Sequence, residues 1–269
     1  MEASHAKRWI TGIIVVPLLF ALIYFGPAIM FNLLIVLVVL LATWEYQAMA
    51  FGDGHNAEKI QGFVIAFLFP LAALLGQENC FPALIAFSII ATFSLYLLKI
   101  RDADFDLTPF YRLVFGMLYI PFMMSHFILL RSAPYGVAWV FFVIILAFSG
   151  DITAYYTGRK WGRKKLHKYV SPGKTGAGIL GLVSSATVAC IIYQQIFFPQ
   201  ISPWCAGLLG FAGSTIGQLG DLCESALKRS AGVKDSGGIL PGHGGMLDRL
   251  DCLIFIGPFI YYCQRFLIS

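Results

Sequence analysis

Residues 28–48 read AIMFNLLIVLVVLLATWEYQA, a run dominated by leucine, valine and isoleucine. As a helix it is long enough to cross the hydrocarbon core of a bilayer, which takes about 20 residues. Eight further stretches share this character, at roughly 9–25, 60–76, 81–99, 110–130, 135–157, 177–197, 203–226 and 249–267. Over the 269 residues, 58% are hydrophobic and 12% charged; soluble domains carry about 25% charged residues. The expected fold is therefore an all-α, polytopic integral membrane protein of about nine transmembrane helices. A soluble domain of ordinary size has no room in the remainder. Lys7-Arg8 before the first run resembles the start of a secretory signal, but no small-x-small cleavage site follows. An uncleaved first helix is the better reading.

Basic residues test the count independently, because Lys and Arg concentrate in cytoplasmic loops. With nine spans and a cytoplasmic N-terminus, 17 of the 19 Lys and Arg fall on the cytoplasmic side, Arg131 and Arg265 being the exceptions. The two long cytoplasmic loops, 158–176 and 227–248, both lie in the second half. We therefore divide the chain into an N-terminal helical scaffold (1–132) and a C-terminal functional half (133–269). The six cysteines show no metal-ligand spacing and read as small apolar residues.

Ionisable residues within the spans are costly and usually mark a site. Asp221, Glu224, Ser225 and Lys228 are spaced i, i+3, i+4, i+7 and share one helix face. Asp248 and Asp251 share another where the last span begins, and Asp151 lies inside the sixth. Two carboxylate-bearing faces joined by a short loop suit a hard cation such as Mg²⁺, held by one or two carboxylates with phosphate oxygens and water. Between them lie Lys228-Arg229, Lys234-Asp235 and Pro241-Gly242-His243-Gly244-Gly245. Glycine lets a backbone approach phosphate closely, and Lys and Arg neutralise it. That combination points to phosphoryl or nucleotidyl transfer. The bland readings are an internal salt bridge for Asp221 or Glu224 with Lys228, and a basic loop touching anionic headgroups. Lys174, at the end of a seven-cation loop that suits an anionic lipid surface, is a further candidate for contacting phosphate. Asp102, Asp104 and Asp106 read as a solvated loop and His126 as a hydrogen-bonded core histidine. The literal G-x-G-x-x-G of Gly176–Gly181 has no strand before it and is no Rossmann fingerprint.

The stretch Ser225–Asp251 resembles the signature of the CDP-diacylglycerol synthases (phosphatidate cytidylyltransferases). The matching positions are Ser225, Lys228-Arg229, Lys234-Asp235, His243-Gly244-Gly245 and Asp248-Arg249-Leu250-Asp251. Gly150-Asp151, Gly158-Arg159 and Ser171–Gly178 extend it more loosely. One departure is visible: the family's Ser-Pro-Lys-Lys-Thr-x-Glu-Gly reads Ser171-Pro172-Gly173-Lys174-Thr175-Gly176-Ala177-Gly178, lacking the first lysine and the glutamate.

The resemblance implies transfer of the cytidylyl group from CTP to phosphatidic acid, with Mg²⁺ as cofactor, with or without a second, monovalent cation. Catalytic residues would be Asp221, Asp248, Asp251, Lys228 and His243, the three aspartates holding the metal. Ser225, Arg229, Lys234, Asp235, Arg249, Lys174 and Asp151 would bind substrate. The partners implied are CTP, phosphatidic acid, membrane lipid and a second copy of the chain in a homodimer, with no nucleic acid. A bacterial inner-membrane enzyme with its active site facing the cytoplasm fits. The alternatives are a CTP-dependent lipid kinase and an ion or lipid transporter.

Overall fold

The structure, a computed structural model, describes residues 2–52, 55–101, 103–239 and 244–268. Helices dominate. Those of the first half are α1 (Glu2–Phe25), α2 (Ala28–Phe51), α3 (Asn56–Leu74), α4 (Phe81–Leu97), α5 (Thr108–Met117) and α6 (Met123–Ser132). The second half holds α7 (Gly136–Phe148), α8 (Asp151–Trp161), α9 (Gly176–Phe197), α10 (Pro203–Ser230), α11 (Leu247–Leu250) and α12 (Leu253–Cys263). Each of the nine apolar stretches coincides with a helix or a continuous helical pair. Among the described residues, seven helical segments are long and apolar enough to span a membrane. The protein is thus an all-α polytopic membrane protein. Large apolar side chains such as Leu33, Leu37, Phe87, Trp204 and Leu208 are more than half exposed. Such a surface is stable only with lipid as the solvent.

The sequence reading missed one local element. Loop 158–176 is shorter than expected, because α8 runs on to Trp161, and it folds into an antiparallel hairpin of β1 (Lys165–His167) and β2 (Ser171–Thr175). Three- and five-residue strands lying in a polar, cation-rich segment leave no hydrophobic alternation to read.

The chain forms two compact units. The first comprises residues 1–132 together with 235–248. Its core lies between α2, α3 and α6, where Phe31, Ile35, Val39 and Ala42 meet Ile65, Phe69, Met124 and Ile128, all buried. Pro121 supplies no N–H to the helical ladder, and the chain makes a π turn at Leu118–Phe122 between α5 and α6. That turn presents Phe122 to Phe69, Phe81 and His126, with ring centroids 5.1–5.8 Å apart. His126 Nδ1 lies 2.9 Å from the Phe122 carbonyl, the hydrogen-bonded core position expected of it. Residues 235–248, which sequence order places with the C-terminal half, pack with the N-terminal helices.

The second unit comprises residues 133–234 and 249–269. Its axis is α10, whose 28 residues extend about 42 Å at 1.5 Å per residue. A row of small residues lets neighbours approach closely, as in other membrane helix pairs. A Cβ at Gly210 would lie 3.0 Å from the Thr187 backbone of α9, and one at Gly213 would lie 2.7 Å from Leu146 of α7. At Gly220 it would lie 2.5 Å from the carbonyl of Asp251. Glycine at 220 thus brings the start of the last span, and Asp251 with it, against the helix turn that carries Asp221.

Candidate active site

Within the second unit, a cavity of about 430 Å³ opens between α8, the hairpin, α9 and α10. Its polar wall is Asp151, Tyr155, Arg159, Lys165, Lys174, Thr175, Gln218 and Asp221. Gly158, Gly162, Gly173 and Gly178 line it as well. A Cβ at Gly158 would approach Thr175 Oγ1 to 3.1 Å, and one at Gly178 would approach the Ala154 carbonyl to 3.1 Å. Glycine on glycine therefore sets the close crossing of α8 and α9. Thr175 caps the N-terminus of α9, its Oγ1 accepting the Gly178 N–H at 3.2 Å.

Asp221 is the electrostatic centre of this unit. Lys174 Nζ donates to its Oδ2 and to Gln218 Oε1, the latter at 3.2 Å. Ser225 Oγ donates to Asp221 Oδ1 at 3.5 Å. Asp151 and Asp251 both lie within electrostatic reach of Asp221 and of Lys174, and Asp151 also of Arg249. Asp251 Oδ1 accepts the Cys252 N–H at 2.7 Å. The structure therefore brings together Asp151, Lys174, Asp221, Ser225 and Asp251, five of the residues singled out from sequence.

Lys228 has a different neighbour. Its Nζ lies 2.7 Å from Oε2 of Glu224, a carboxylate only 1% exposed. The internal salt bridge entertained for this face is what forms there. Arg229 Nη1 donates to the Val233 carbonyl at 2.8 Å and closes the C-terminal end of α10. Lys234 and Arg249 are exposed. His243 and Asp102 lie outside the described residues.

Asp248 and Asp235 belong to the first unit. Asp248 Oδ2 accepts two backbone N–H groups, from Ser236 at 3.0 Å and Gly245 at 2.7 Å. This explains the paired glycines chemically. Gly244 sits at φ +79°, which favours glycine, and a Cβ there would lie 2.7 Å from Asp248 Oδ2. A Cβ at Gly245 would strike Ser236 Oγ and Glu45 Oε2, at 2.1 and 2.4 Å. Asp235 is exposed.

Two participants escaped the sequence reading. Gln218 has no motif around it; its only signal is its position one helical turn before Asp221. Glu45 has a plainer one: it is the carboxylate inside the run 28–48, and a charge there needs a reason.

Asp221, with Asp151 and Asp251 within electrostatic reach of it, offers an oxygen donor set of one or two carboxylates. Among the described residues no group of three or more His, Cys, Asp or Glu side chains is disposed to close on one metal ion. Mg²⁺ needs only one or two carboxylates, its other ligands being phosphate and water, so this donor set fits it.

The fold and the cavity define a polytopic membrane protein equipped to handle an anionic substrate. A family model described as "Cytidylyltransferase family" matches residues 6–267, and the chain belongs to that family. It is 32% identical over 264 residues to a phosphatidate cytidylyltransferase of Bacillus subtilis, covering 95% of this chain and 96% of that one. Over 205 residues it is 36% identical to an uncharacterized protein of Escherichia coli K12, covering 73% and 68% respectively. Over 147 residues it is 37% identical to a phosphatidate cytidylyltransferase of Brucella abortus, 54% of each chain.

Proposed function

We propose that the protein is a phosphatidate cytidylyltransferase that makes CDP-diacylglycerol and pyrophosphate from CTP and phosphatidic acid. The observation that carries the reading is the Asp151–Lys174–Asp221 cavity in a chain matched to the cytidylyltransferase family along almost its whole length. An oxygen of the lipid phosphate attacks the α-phosphorus of CTP, and the bond from that phosphorus to the α–β bridging oxygen breaks. The second ionisation of a phosphate monoester has a pKa of about 6. The nucleophile is therefore largely dianionic at neutral pH and needs no strong base. Positioning and charge neutralisation remain as the protein's task.

Lys174, Arg159 and Lys165 line the cavity and carry the positive charge that would receive the phosphates. Asp221 and Asp251 would hold Mg²⁺, with Asp151 beside them, and Asp248 is assigned as a ligand on the signature alone. Bound there, the metal would supply Lewis-acid stabilisation of charge on the phosphates. Arg229, Lys234 and Arg249 are exposed cations suited to neutralising the triphosphate or the lipid phosphate, and His243 is assigned to orient a phosphate or to protonate the departing pyrophosphate. The positive-inside pattern of the basic loops supports a site on the cytoplasmic side; a bacterial inner membrane, phosphatidic acid arriving from the bilayer and a homodimer as the assembly complete the proposal.

The test uses purified protein in detergent with phosphatidic acid, Mg²⁺ and CTP labelled on the α-phosphate. Label in the lipid supports the reading. Label entering lipid only from the γ-phosphate identifies a kinase instead.

A further inference from the structure

Glu45 lies near the C-terminal end of α2, far in sequence from every recognised motif, and is 1% exposed. It faces no cation. Its Oε1 accepts the N–H of Met246 at 2.9 Å, and its Oε2 accepts the N–H of Leu247 and the hydroxyl of Ser236, both at 2.9 Å. Ser236 passes this on, its Oγ accepting the Asp248 N–H at 3.3 Å while its own N–H donates to Asp248 Oδ2. Gly237 and Gly245 are the sites where any side chain would collide with the Glu45 carboxylate, at 2.5 and 2.4 Å. One side chain thus holds Ser236 on one side and Met246 and Leu247 on the other, and the Ser236 and Gly245 N–H groups that reach the Asp248 carboxylate belong to residues Glu45 holds or adjoins.

We propose that Glu45 is a positioning residue: it pins Ser236 and the Met246–Leu247 backbone and so orients the Asp248 carboxylate. Asp248's role as a metal ligand rests on the function proposed above; the pinning rests on the hydrogen bonds alone. The physical logic is that of partners beyond the ligand itself, whose loss typically costs about 10- to 100-fold in metal affinity or activity. Glutamine has the shape of glutamate but only one acceptor oxygen. Whichever way the amide is turned, either the Met246 or the Leu247 N–H then meets an NH₂ group.

The test compares full-length wild type and Glu45→Gln in detergent by three readouts. These are hydrogen exchange at the Met246 and Leu247 amides, Mn²⁺ binding followed by electron paramagnetic resonance, and turnover against Mg²⁺ and CTP concentration. The expected result is faster exchange at 246 and 247 with α2 still protected, Mn²⁺ binding weakened about 10- to 100-fold, a raised half-activating Mg²⁺ and an unchanged KM for CTP. Wild-type exchange at both amides, or weakened exchange protection with wild-type Mn²⁺ binding and turnover, would overturn the proposal. If Glu45→Gln loosens α2 as a whole, Ser236→Ala carries the test. It should speed exchange at the Asp248 amide and weaken Mn²⁺ binding, and wild-type behaviour in both overturns the idea. Wild-type protein that labels no lipid would sink the proposed reaction, yet leave exchange and Mn²⁺ binding to decide Glu45.

Discussion

Two buried carboxylates, Glu224 and Glu45, are each 1% exposed and are satisfied in opposite ways. Glu224 is paired with a cation one turn along its own helix, Lys228 at 2.7 Å. Glu45 accepts from two backbone N–H groups and a hydroxyl about 200 residues downstream. The first arrangement is local and readable from i, i+4 spacing. The second is a long-range contact that no local pattern announces. A short-range pair stabilises a helix face, whereas a long-range acceptor fixes one segment of chain against another. The contrast sets a charge held within its own helix against a charge that ties distant parts of the chain together.

Breaking the cavity itself should have the largest effect. Asp221→Asn removes the charge that Lys174 and Ser225 address, and turnover should fall by at least about 10²- to 10³-fold, the usual cost of losing one key electrostatic group. Initial-rate assays with α-labelled CTP read it. Lys228→Met sharpens the comparison from the other side. It strands Glu224 in a buried site, which costs about 3–5 kcal/mol, and thermal unfolding in detergent should show the loss. The double variant Lys228→Met/Glu224→Leu should recover that stability. If it recovers activity too, Lys228 builds the helix; if activity stays lost, Lys228 also touches substrate.

Gly245→Ala puts a methyl group where Glu45 and Ser236 meet. The overpacking should cost about 1–3 kcal/mol, and turnover should follow Glu45→Gln in direction. The smallest effect belongs to Asp106, outside the spans. The Thr108 N–H donates to its Oδ1 at 2.8 Å and holds its carboxyl below the usual carboxylate range. A lowered folded value means the contribution is present above the unfolded pKa, about 4, and lost as pH falls through the folded one. Asp106→Asn should therefore slightly lower stability at neutral pH and leave acid unfolding slightly less steep, as melting curves across pH would record.

Much of this was legible in the sequence. Apolar runs of the right length gave the helices, because membrane spanning imposes a constraint that composition alone reveals. Asp221, Asp151 and Asp251 stood out as charges at membrane depth, and Lys174 as a cation beside a helix start. Three things were not legible. The hairpin 165–175 is too short and polar to show a period. The Lys228 pairing with Glu224 was visible only as one reading beside a catalytic one, and the geometry shows the pair without deciding whether Lys228 also touches substrate. Glu45 sat unremarked in the stretch that fixes the fold, because its partners are backbone N–H groups, which every residue but proline carries. The paired glycines at 244 and 245 show the converse. In sequence they suggested phosphate approach; in the structure their positions make room for the Asp248, Ser236 and Glu45 side chains, a requirement the letters alone did not show.

The most direct measurement follows α-labelled CTP into lipid with purified protein, phosphatidic acid and Mg²⁺, alongside Asp221→Asn and a chelator. The account predicts label in CDP-diacylglycerol from wild type, abolished by the chelator and cut at least about 100-fold in the variant. Label in lipid that is indifferent to Asp221, or that comes only from the γ-phosphate of CTP, would contradict it.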